Sequence, residues 1–138
     1  MALVGSFLLL WGCSPNSAQE FQKEGETLCR SLVLELQKIE DREHLLAAEP
    51  KLKRQFEDLI DLIIEAREFQ QKRFEDEAPH ELALEQNCFE AALEAQLRRI
   101  YTMEGGREVI ERAQQEALVR LDAYERVLIK KREMSSRK

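Results

Sequence analysis

The chain has 138 residues, enough for one domain with a buried core; 35% of them are charged and only 7% aromatic. That balance belongs to helical bundles rather than sheet proteins. A net charge of −6 excludes the basic stripe of nucleic-acid-binding proteins, so no nucleic acid is expected as a partner.

In chain order, the first stretch is apolar. Residues 1–12 carry no charged or amide side chain, and Phe7-Leu8-Leu9-Leu10-Trp11 forms their greasy middle. A helix needs about 20 apolar residues to cross the hydrocarbon layer, and here Ser14, Pro15, Asn16 and Ser17 cut the run short. The tetrad Leu10-Trp11-Gly12-Cys13 resembles the lipobox of bacterial lipoproteins, with Leu10 and Gly12 at the third and first positions before the cysteine. Trp11 is bulkier than the residue usual between them. The resemblance covers about the first 14 residues. It implies a signal peptide at 1–12 and cleavage before a lipidated Cys13; the residue pattern beyond it divides into a polar tether at 13–19, a helical bundle domain at 20–134 and a basic frayed tail at 135–138. Cys13 would carry two or three acyl chains, and at about 0.8 kcal/mol per buried methylene they hold durably where one chain does not. Ser14, rather than an aspartate, implies the periplasmic face of the outer membrane. Without the resemblance, the same stretch reads as the start of a cytoplasmic chain tucked into its own core.

Beyond the tether the apolar spacing is helical throughout. Cys29, Leu32, Val33, Leu36 and Ile39 share one face of a first helix that starts between 18 and 25 and runs to about 48. The one candidate break inside it is Asp41-Arg42-Glu43. Pro50 marks a new start, since proline suits a first turn and not a helix interior. The second helix, 50–74, carries Leu52, Phe56, Leu59, Ile60 and Ile63, widened by Leu62, Ile64 and Phe69. An arc that broad needs cover on more than one side, so this helix is expected to be central. Glu75, Asp76 and Glu77 lead to Pro79, which opens a third helix, 79–103, striped by Leu82, Phe89, Leu93, Leu97 and Ile100. Beside that stripe Leu84, Cys88, Ala91, Ala92 and Ala95 form a strip, mostly of small residues, suited to close approach. Gly105-Gly106 ends the helix, glycine accepting a left-handed backbone there. A fourth helix, 107–133, carries Ile110, Ala113, Ala117, Leu121, Tyr124 and Leu128. Acid–base pairs four apart, such as Glu49/Lys53, Glu94/Arg98, Glu116/Arg120 and Asp122/Arg126, mark the solvated faces. The expected fold is all-α: an up-down antiparallel bundle of three to four long helices.

No residue set reaches the standard of a catalytic, cofactor or metal site. Asp41-x-x-His44 has the wrong acid for a di-iron motif, and Glu77-x-x-His80 straddles a turn. Glu75, Asp76, Glu77, His80 and Glu81 lack the ordered spacing of a calcium loop. There is no Gly-x-Ser-x-Gly elbow and no phosphate-cradling loop. With Cys13 given to lipid, Cys29 and Cys88 form a possible disulfide if their helices are neighbours, or else two core thiols. Lys130, Lys131, Arg132, Arg137 and Lys138 crowd the C-terminus against Glu133 alone, either complementing the helix dipole or meeting an anionic surface. The expected role is a non-catalytic, lipid-anchored envelope bundle that offers helix faces to a protein partner or to itself. The alternative is a cytosolic helical adaptor or chaperone-like module.

Overall fold

A computed structural model describes residues 15–74 and 88–137, without the side chains of 74 and 88–90. The lipobox with Cys13, the acidic stretch 75–77 with His80 and Glu81, and the first part of the expected third helix all lie outside the described residues. Four helices make up the rest: α1 (Ala18–Gln37), α2 (Arg42–Phe74), α3 (Cys88–Tyr101) and α4 (Gly106–Ser136). The described chain is therefore all-α, and its helices pack on one another as a bundle.

Local chemistry fixes each end. Ser17 lies in extended backbone and its hydroxyl accepts the Glu20 amide at 3.2 Å, while the Glu20 carboxylate accepts the Asn16 amide. This is a variant of the capping box, one serine and one glutamate three apart serving two orphan amides. At the other end of α1 the Lys38 and Ile39 amides tighten onto the last carbonyls, and Ile39 turns inward to full burial. Asp41 then caps α2, its carboxylate accepting the His44 amide at 2.8 Å and its carbonyl the Leu45 amide at 3.0 Å.

The break thus falls at Asp41, and the start expected at Pro50 is corrected. Pro50 sits inside α2, about two turns from its beginning. Proline in a helix interior costs about 3 kcal/mol. That cost is offset by Leu45 and Leu52, both at 0% exposure on either side of it, each contributing roughly 1.5–3 kcal/mol by burial. A helix beginning at 50 would leave Leu45 without that register. Leu46, whose carbonyl has no proline amide to serve, stands exposed to water.

Cross-helix contacts give the directions. Glu35 meets Lys51, Ser31 meets Gln55, and Phe21 meets Phe69, so α1 and α2 run antiparallel. Between α2 and α4 the pairs ascend together, Glu49–Arg112, Lys53–Glu116, Asp61–Arg120 and Arg67–Glu125, so these two helices are parallel. Successive helices reverse as expected. The neighbours, however, are α1 with α2 and α3, and α4 with α2 and, more lightly, α3. Two helical hairpins lie side by side with their tips together, and α2 is indeed covered from two sides.

The main core gathers where the tips converge: Leu32, Leu36 and Ile39, then Leu45, Leu52 and Phe56, then Ile100, Val109 and Ile110. Ala113 and Ala117, each 1% exposed, let α4 approach α2 closely. Of the strip of small residues expected to do this on α3, Ala91 and Ala95 face solvent and Ala92 is half-buried, while Leu84 and the side chain of Cys88 lie outside the described residues. A satellite cluster of Phe21, Leu62 and Ala66 closes the α1–α2 hairpin nearer its open end. Among the described residues, nothing on α4 after Ala117 is fully buried: Leu121, Tyr124 and Leu128 are only half covered.

Candidate functional site

Arg99, near the C-terminus of α3, makes three side-chain hydrogen bonds, two of them to another helical hairpin. Its Nη1 donates to the Ile39 carbonyl at 2.8 Å, its Nη2 to the Leu36 carbonyl at 2.7 Å, and its Nε to Gln96 at 3.0 Å. The last carbonyls of any helix lack intrahelical partners and carry partial negative charge. α1 has no basic residue of its own in its last turn, so a guanidinium from another hairpin supplies the cap. We expect Arg99→Met to cost about 2 kcal/mol, the range for hydrogen bonds to a charged group, read as a lower denaturant midpoint with unchanged slope.

Charge chemistry concentrates along the α2–α4 seam. Arg112 holds Glu49 through two bonds at 2.8 and 3.0 Å, Lys53 meets Glu116 at 2.9 Å, Arg120 meets Asp61 at 2.6 Å and Arg67 meets Glu125 at 2.9 Å. Exposed pairs like these each contribute little to stability, but together they pin register. A slip of one turn in one direction would set Arg112 opposite Lys53 and Glu116 opposite Glu57. A slip the other way would set Glu116 opposite Glu49. Sequence reading missed this ladder by assigning Glu49, Lys53, Glu116 and Arg120 to partners on their own helices. Only Glu94–Arg98 and Asp122–Arg126 among those local pairs are ion pairs in the described residues.

Two of these seam pairs, together with the Glu35–Lys51 pair between α1 and α2, make the fold acid-sensitive. Hydrogen bonds from Lys51, Arg112 and Lys53 hold the carboxyls of Glu35, Glu49 and Glu116 respectively below the ordinary value of 4.5. A folded-state value lowered in this way contributes stability that is complete above the unfolded value and lost as pH falls through the folded one. The thermal midpoint should therefore hold level from neutral pH toward about 5 and decline below about 4.5. Glu35→Gln should flatten that decline in a melting series across acid pH.

Among the described residues, the candidates singled out from sequence do not together line either of the clefts at the open end of the bundle. His44 is exposed, and Asp41 beside it is used as the helix cap. Cys29 is half-buried on α1, and α1 and α3 are direct neighbours, as a bridge would require; the side chain of Cys88 lies outside the described residues. Among the described residues no three His, Cys, Asp or Glu side chains are grouped to hold a metal ion. No helix there is long and apolar enough to cross a membrane. Lys130, Lys131, Arg132 and Arg137 are exposed at the end of α4, which stays helical to Ser136, three residues beyond the expected end.

At that open end α2 and α4 form a two-helix ridge with a shallow cleft on either side. One, of about 640 Å³, is lined by Lys72, Tyr124, Val127, Leu128 and Lys131. The Tyr124 hydroxyl is buried without a hydrogen-bond partner among the described residues, and burial pushes its pKa up, helped by nearby Glu68. Neither cleft brings together a nucleophile, a base and an oxyanion donor. Comparison of the chain with protein-family models, with curated proteins and with solved structures finds no match.

Proposed function

We propose that this protein is a lipid-anchored envelope lipoprotein whose helical bundle serves as a structural or protein-interaction module, without catalysis. The observation that carries the reading is Leu10-Trp11-Gly12-Cys13 closing an apolar run and followed at once by polar residues. The bundle is compatible with it. α1 starts at the same end of the molecule as α4 finishes, so an anchor at Cys13 leaves the hairpin tips pointing away from the membrane. Ser14 favours the outer membrane, at its periplasmic face. The helix faces are what the module has to offer, to another envelope protein or to a second copy.

The experiment is metabolic labelling with an alkyne fatty acid, together with the intact mass of the mature chain. Wild type should be labelled and should begin at Cys13; Cys13→Ser should abolish labelling completely. A soluble, unlabelled chain that keeps residues 1–12 would overturn the reading in favour of a cytosolic helical adaptor.

A further inference from the structure

Three features coincide at the open end of the bundle. The first is reach. Phe21 of α1 meets Phe69 of α2 in a tilted ring contact with centroids 5.2 Å apart, close to the level of the Arg67–Glu125 pair. From there α4 continues for about ten residues while α1 has only three more back to Ala18, so at 1.5 Å each α4 projects about 10 Å past the start of α1. The five steps from Cys13 to Ala18 span at most about 17 Å in any conformation. A surface holding Cys13 is therefore within reach of the tip of α4.

The second feature is exposed apolar surface. Of the seven large apolar side chains exposed among the described residues, three, Val127, Ile129 and Met134, lie in this last stretch, Met134 being the most exposed at 71%; Leu118 and Val119 lie two turns before it and Leu34 and Leu46 on the first hairpin. The third is charge. Lys130, Lys131, Arg132 and Arg137 stand there against Glu133. Lys72 and Arg73 end α2 nearby, while Glu20, Lys23 and Glu24 begin α1. Glu75, Asp76 and Glu77 follow α2 in sequence outside the described residues, so α4 alone carries the argument. Apolar side chains interleaved with cations suit the boundary between headgroups and acyl chains.

We propose that the final turns of α4, residues 127–137, seat on an anionic lipid surface, the headgroup layer of the membrane that holds Cys13. The proposal rests on the lipid-anchored reading and adds a second point of attachment, which fixes the bundle's orientation.

The test uses the full chain with Cys13→Ser, mixed with vesicles of phosphatidylcholine alone or of phosphatidylcholine with phosphatidylglycerol. Each cation at such a surface strengthens binding roughly fivefold, so at least about tenfold preference for the anionic vesicles is expected. Salt should screen it. Changing Lys130, Lys131, Arg132 and Arg137 together to glutamine should remove most of the preference while circular dichroism stays unchanged. Equal binding to both vesicles, or an undiminished preference in that variant, overturns the proposal. A chain acylated at Cys13 in cells but without the preference overturns this surface and leaves the anchor. A chain with the preference but no acylation overturns the anchor and leaves the surface.

Discussion

Gly106→Ala should destabilise the bundle by about 3 kcal/mol or more, above the usual range for overpacking, and more than the same change at Gly105. A Cβ on Gly106 would fall 1.9 Å from the Ile100 carbonyl oxygen, inside any tolerable contact. That oxygen has little freedom to retreat. It accepts the Met103 amide at 2.9 Å, and the Ile100 side chain is fully buried in the main core. Accommodating one methyl would mean prying the α3–α4 tip apart, and with it the Arg99 cap on α1. Gly105 is the residue with positive φ, at 71°, where a side chain costs about 1–2 kcal/mol in backbone strain but meets nothing closer than 3.7 Å. Chemical denaturation of the two variants decides it. A Gly105 variant weaker than the Gly106 variant would mean that the turn can open.

The glycine pair shows how far letters alone reach. Two adjacent glycines after a helical stripe announce a turn, and the turn is there. Which glycine supplies the left-handed backbone and which the close approach depends on Ile100 being folded back over the second. The stripes were legible for the same reason: Leu32, Val33, Leu36 and Ile39 recur with the helical period, and all four are buried. Phe21 was not read as core, because it stands alone in a polar stretch and finds Phe69 only through the α1–α2 hairpin. Pro50 misled because local preference for a helix start is weaker than the burial of Leu45 and Leu52. The charge ladder was hidden because residues four apart on one helix can equally face a neighbour, and sequence spacing does not choose between them. Arg99, the cap of a helix about 60 residues away, carries no local signal. As for function, the tetrad ending at Cys13 is read entirely from sequence.

Leu36→Ala should cost about 3–4 kcal/mol, a large share of the 5–15 kcal/mol that holds a typical domain together. Leu36 is 0% exposed and belongs to the core where the two hairpin tips meet, and its carbonyl takes one of the Arg99 bonds. The cavity would be walled by helices that cannot close on it without disturbing that cap, so little of the lost packing can be recovered. The thermal midpoint should drop by roughly 10–15 °C for a bundle of this size. Phe21→Ala removes a larger side chain, itself 3% exposed, yet should cost less. Among the described residues its cluster holds Phe21, Leu62 and Ala66 with half-buried Leu28 and Phe69 around them, and it lies toward the open end, where α1 can fray. Melting curves of the two variants measured side by side separate these cases. If Phe21→Ala proved the more damaging, the satellite cluster, and not the tips, would be the centre of cooperativity, and the hairpins would be held together from their open end.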